Sequence, residues 1–137
     1  MHRNRPILAL LFFVLPFSAQ SAIKSEPLEY KDGDTALKGF LVYDDALDGK
    51  RPGVIVVHEW WGLNDYVKER AAMLAELGYV AFAIDMYGNE KVTEHGKEAK
   101  EWMTQITENV EAWQKRAQLG LDILKVHELV DPEYTAA

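Results

Sequence analysis

The 137 residues carry 15 Lys and Arg against 22 Asp and Glu, a formal net charge of −7. That acidity argues against a nucleic-acid partner, which needs a basic face. Hydrophobic residues make up 48% and charged ones 27%, the balance of one folded domain rather than a disordered chain. Cysteine is absent, which excludes disulfides, thiolate metal sites and a cysteine nucleophile within these residues.

The chain opens with a basic head, Met1 to Arg5, followed by the apolar run Ile7 to Phe17 and then small and polar residues, Ser18 to Ala22. This is the layout of a secretory signal peptide. The apolar run is too short to span a bilayer as a helix, and Pro16 interrupts it. Residues 1–21 are therefore expected to be removed on export, with Ala22 the first residue of the mature domain, 22–137. The expected location is the periplasm or the exterior, with no stable membrane insertion after cleavage.

Leu28 to Tyr30 and Leu37 to Tyr43 read as two strands joined at the turn signal Asp32-Gly33-Asp34. Pro52-Gly53 then opens Val54-Ile55-Val56-Val57, four consecutive β-branched residues without alternation. A strand covered on both faces has this pattern, as in a parallel sheet flanked by helices. Asn64 or Asp65 is a suitable N-cap for a helix from Tyr66 to Leu77, with Val67, Ala71 and Leu74 on its apolar stripe and Gly78 beyond its end. Tyr79 to Ile84 is a second apolar strand. Strand, helix and strand in about thirty residues make a right-handed βαβ unit with parallel strands.

Two further helices are expected, from Thr93 to Ile106 and from Asn109 to Leu129. The second carries Trp113, Ala117, Leu121 and Leu124 on one stripe and is stopped by Asp131-Pro132. Tyr134 to Ala137 reads as the start of another strand. The fold class is α/β, a mostly parallel sheet flanked by helices, and its rhythm breaks off as that strand begins, as in a truncated domain.

In an open parallel sheet, ligands bind outside the carboxyl ends of the strands. That rule selects His58-Glu59-Trp60-Trp61-Gly62 and Asp85-Met86-Tyr87-Gly88, which leave the two parallel strands on one rim. The first segment is not a zinc-protease motif, because Gly62 stands where the second histidine would be. There is no P-loop, no Gly-x-Gly-x-x-Gly and no Gly-x-Ser-x-Gly, and no serine follows Ser25. No metal or other cofactor is expected, and a Ser-His-Asp hydrolase cannot be assembled from these residues. His58 reads as a structural histidine bonded to backbone. Asp85 reads as an acceptor for neighbouring loop amides.

The run from Pro52 to Asn64, together with Arg70, Ala72, Leu74-Ala75, Gly78-Tyr79, Ala81 and Asp85-Met86-Tyr87-Gly88, resembles the dienelactone hydrolase family of the α/β-hydrolase fold. The resemblance covers about Ser25 to Ala137, the first half of the family domain. It implies a hydrolase of small carboxylic esters or lactones whose nucleophile is a cysteine on a sharp strand-to-helix elbow, with an aspartate and a histidine further on. Glu59 takes the place of the carboxylate that governs the thiol proton, and the backbone N–H of Trp60 that of an oxyanion-hole donor. Trp61 and Tyr87 are candidate substrate-binding residues. The elbow would follow Ala137, so the fragment is expected to be inactive and to leave Val54–Val57 as an open sheet edge. The resemblance further implies that members acting on dienelactone hold its carboxylate with arginine, partly from the helix after the second parallel strand, whereas that helix here offers Lys97 and Lys100 and no arginine. The alternative reading is a non-catalytic small-molecule-binding or interaction remnant of the same fold.

Overall fold

A computed structural model describes residues 22–137. The expected signal segment, 1–21, lies outside the described residues. Five strands and three helices follow in chain order: β1 (Ile23–Asp32), β2 (Thr35–Asp44), β3 (Arg51–Val57), α1 (Asp65–Glu76), β4 (Val80–Ile84), α2 (Gly96–Glu108), α3 (Val110–Val126) and β5 (Val130–Ala136). They form one sheet in the order β1-β2-β4-β3-β5.

The expected hairpin is β1 and β2, in register from Ile23↔Asp44 to Asp32↔Thr35. β3 runs parallel to both β4 and β5, while β2 joins β4 antiparallel through Phe40↔Ala83 to Val42↔Ala81. The βαβ unit is thus as expected, and the hairpin adds two antiparallel pairings that make the sheet mixed.

The strand β4 explains how the layers pack. Its residues alternate between faces, as the period of a strand dictates. Val80, Phe82 and Ile84 enter one core with Leu41, Ile55, Leu124 and Val130, beneath α3. Ala81 and Ala83 enter the other core with Val67, Ala71 and Ala75 of α1. Small residues on both partners bring α1 down close to the sheet. Asn64 caps α1, its side-chain oxygen accepting from the Val67 N–H at 3.3 Å, so of the two caps the sequence offers the structure uses Asn64.

Several expectations are corrected. α3 ends at Val126 rather than Leu129, and Asp131-Pro132 lies inside β5 rather than marking a helix stop. The open edge expected at Val54–Val57 is closed only at its start: β5 pairs with β3 from Arg51↔Val130 to Val54↔Ala136, and Ile55–Val57 have no strand on that side among the described residues. The proline is accommodated because the register jumps there: Pro52 faces Asp131 and Gly53 already faces Thr135. Pro132 falls in that irregularity, where no ladder hydrogen bond needs its missing N–H. α2 likewise begins at Gly96, three residues later than expected. The Thr93 hydroxyl accepts from the His95 N–H at 3.1 Å and donates to Glu98 at 2.5 Å, outside the helix it precedes.

Candidate functional site

β3 and β4 deliver their loops to the same rim because they are parallel. The loop after β3, residues 58–62, is held from two sides. On one side, Gly62 forms an isolated antiparallel bridge with Val92, and the Thr93 N–H donates to the Trp61 carbonyl at 3.1 Å. Gly62 has φ +88°, and a methyl group there would run into the main-chain carbonyl of Lys91. The motif therefore requires glycine at its last position.

On the other side stands the loop after β4. His58 is 8% exposed and lies between the two loops. Its Nε2 accepts from the Met86 N–H at 3.1 Å, and its Nδ1 lies 2.6 Å from the Glu59 carbonyl, to which it donates. These partners require the neutral tautomer protonated on Nδ1. Burial lowers the ring's pKa below the ordinary value of 6.5, which favours that neutral form. The sequence reading of His58 as a structural histidine matches this placement.

Asp85, 2% exposed, accepts from the Tyr87 and Gly88 N–H groups at 3.0 and 2.8 Å and from the Lys38 N–H at 3.4 Å. It shapes the turn after β4, as its sequence reading expects. Tyr87 is 9% exposed, and its hydroxyl donates to the Trp60 carbonyl at 3.1 Å. Its ring meets His58 edge-on at a centroid distance of 4.6 Å and Trp102 at 5.9 Å. Burial raises its phenol pKa, so the hydroxyl stays a donor.

Glu59, Trp60 and Tyr87 come together. They line a cavity of about 130 Å³ with His58 and Met86 beneath and with Met103, Ile106, Thr107 and Trp113 from α2 and α3. Glu59 is exposed, and its carboxylate has no hydrogen-bond partner among the described residues. Trp61 is placed elsewhere. Its ring lies against that of Trp60 at 4.9 Å, but it lines a separate depression with Asn64, Thr93 and Glu94. Lys97 and Lys100 are both exposed.

A residue absent from the sequence reading proves central. Arg116 of α3 donates through Nη1 to the Met86 and Tyr87 carbonyls at 2.7 and 3.0 Å, and through Nε to Asp32 at 3.1 Å. It fastens the loop after β4 to the hairpin turn. Lys115 adds a second cation 2.6 Å from Asp32, and the two together lower the Asp32 pKa below 3.8. Arg116 also lines a polar cavity of about 280 Å³ with Tyr87, Asn89, Lys91 and Trp102. The sequence held one signal for it: spacings of three, four and four put Trp113, Arg116, Gly120 and Leu124 on one face of α3. An arginine on the stripe that faces the sheet needs a buried acceptor.

Among the described residues no helix is long and apolar enough to cross a membrane. None of their His, Asp and Glu groups is arranged to hold a metal ion.

The family model for the dienelactone hydrolase family matches residues 37–134. An Escherichia coli protein named "Putative hydrolase fragment YghX" is 43% identical over 54 residues, 39% of this chain and 46% of that protein. A Saccharolobus solfataricus protein named "Putative carboxymethylenebutenolidase" is 50% identical over 69 residues, 49% of this chain and 26% of that one. Among solved structures, a dienelactone hydrolase-like promiscuous phosphotriesterase from metagenomic libraries superposes with a TM-score of 0.79 at 36% identity, covering 84% of this chain and 48% of that one. The chain spans less than half the length of each of these relatives.

Proposed function

The chain belongs to the dienelactone hydrolase family, and on that footing we propose that it supplies the oxyanion-binding rim of a hydrolase acting on small carboxylic esters or lactones. The observation that carries this reading is the main chain at the end of β3, where a rigid strand and two clasped loops hold the Glu59–Trp60 peptide beside an open cavity. A main-chain donor held in this way is what a developing oxyanion requires.

The 137 residues contain no cysteine, so in this reading the thiol comes from outside them, together with the aspartate and histidine that serve it. Glu59, exposed and without a partner, is free to take the thiol proton. The thiolate then attacks the acyl carbon, and the carbonyl oxygen becomes an anion facing the Trp60 N–H. Collapse breaks the acyl C–O bond, the departing alkoxide recovers the proton taken from the thiol, and water then cleaves the thioester, its OH going to the acid and its remaining proton restoring the thiol. Tyr87 bounds the cavity, and Trp61 contacts only the outer part of a larger substrate.

The test is a panel of small nitrophenyl esters and lactones given to the full-length protein and to residues 22–137 alone. The reading expects turnover by the former and none by the latter. Glu59→Gln in the full-length protein is expected to cost roughly 10²-fold in kcat/KM. Turnover by residues 22–137 alone would overturn the assignment of the nucleophile. Ligand-induced thermal stabilisation of the full-length protein with no turnover would favour a binding remnant.

Export belongs to the same proposal. Protein recovered from the periplasm or medium is expected to begin at Ala22. Protein found only inside the cell and beginning at Met1 would overturn it.

A further inference from the structure

A peptide unit is planar and trans, so whatever fixes its carbonyl also fixes the direction of its N–H. The Glu59 carbonyl accepts two hydrogen bonds, from His58 Nδ1 at 2.6 Å and from the Gly62 N–H at 3.2 Å. The N–H of the same peptide is that of Trp60. His58 is anchored in turn, because its Nε2 accepts from the Met86 N–H at 3.1 Å and its ring is packed edge-on against Tyr87.

We infer that His58 is a positioning residue: acting as the Nδ1–H tautomer, it locks the Glu59–Trp60 peptide plane to the loop after β4 and so aims the Trp60 N–H. Its partner loop is itself immobilised from behind by Arg116, on the Met86 and Tyr87 carbonyls. The chain of contacts from the hairpin turn to Trp60 runs through Asp32, Arg116, the Met86 backbone and His58, over four hydrogen bonds of 2.6 to 3.1 Å, and crosses Met86 from its carbonyl to its N–H through the Cα. The inference draws its catalytic meaning from the reading of Trp60 as an oxyanion donor. The positioning itself is independent of that reading.

Two substitutions separate the two ends of the ring. Glutamine places an acceptor near the Nε2 position and no donor near Nδ1. Asparagine places a donor near Nδ1 and leaves the Met86 N–H without an acceptor. In the 15N-labelled chain, the Trp60 N–H order parameter is expected to be near the rigid value of about 0.85 in the native protein and in His58→Asn, and to fall below about 0.6 in His58→Gln. A purely structural histidine would leave Trp60 rigid in His58→Gln or loosen it equally in both variants, and either result overturns the inference. The native protein supplies a measurement that needs no variant. The His58 ring 15N shifts are expected to report a protonated Nδ1 and a bare Nε2, and the reverse tautomer overturns the inference by setting two donors against each other at Met86.

Kinetics on the full-length enzyme then address the catalytic meaning. His58→Gln is expected to lose at least about 10-fold in kcat with KM changed less than about 2-fold. A loosened Trp60 with unchanged kcat would leave the positioning intact and would refute the reading of Trp60 as an oxyanion donor.

Discussion

The Tyr87 hydroxyl donates to the main-chain carbonyl of Trp60 across 3.1 Å, so the loop after β4 holds the loop after β3 by a side chain as well as by packing. Removing one such partly buried bond costs about 1 kcal/mol. Tyr87→Phe keeps the ring contacts with His58 and Trp102. It is expected to lower Tm by about 3–5 °C and to loosen Trp60. An unchanged melting curve would show that water replaces the hydroxyl without loss.

Arg116 serves three acceptors at once. Arg116→Met is expected to cost about 2–4 kcal/mol, because two carbonyls lose their donor and Asp32 keeps only Lys115. Arg116→Lys is expected to recover less than half of that loss. An ammonium on a flexible stem cannot reach Asp32 and two carbonyls together as the guanidinium fork does. Denaturant midpoints check both, and a methionine variant as stable as the native chain would refute the clamp.

Gly120 sits where α3 crosses β4. A Cβ there would lie 2.5 Å from Ile84 Cγ2. Alanine is the better helix former by about 1 kcal/mol, but overpacking a core costs about 1–3 kcal/mol, and a contact this close puts the balance on the side of the clash. Gly120→Ala is expected to destabilise, and its combination with Ile84→Ala to cost clearly less than the two single losses added together. Additive losses in the double-mutant cycle would place the clash elsewhere.

Acid stability follows from two groups. His58 has a folded pKa below its unfolded 6.5 because burial disfavours the imidazolium. The unfolded chain therefore binds the proton first, so this stability is complete above about pH 6.5 and is lost as pH falls through the folded value. Protonation also places a second donor opposite the Met86 N–H. Asp32 is held below 3.8 by Lys115 and Arg116, so its share is present above 3.8 and lost as pH falls further. Tm is expected to begin falling near pH 6.5, and His58→Gln to flatten that first decline. A native Tm that stays constant from pH 7 to 5 would contradict the role of the buried ring.

The parts of the fold legible in the sequence are those in which one element declares itself locally. Val54–Val57 reads as a doubly covered strand because all four residues are β-branched and apolar, and Asn64 reads as a cap because its side chain suits the position. Glu59 and Tyr87 were reachable because parallel strands present their loops on a single rim. What was hidden depends on partners distant in sequence. Arg116 and Asp32 are 84 positions apart, and nothing near either residue announces the other. Pro132 reads locally as the end of an element, and only the register jump beside Pro52 makes room for it in a strand. Trp61 stands next to Trp60 in the chain, but the bridge from Gly62 to Val92 holds its loop where the indole turns toward a different depression.

The same 84-residue separation bears on the order of folding. Closing a loop of that length carries an entropic penalty that local pairing does not. The β1–β2 hairpin and the helices can form early from near neighbours, whereas the bond from Asp32 to Arg116 must await the assembled sheet with α3 docked on it. The loop after β4, which Arg116 fastens, is therefore expected to be among the last parts of the molecule to become rigid in refolding, and the rim around Trp60 with it. In a refolding experiment helical signal should return before Trp60 and Trp102 acquire their native fluorescence.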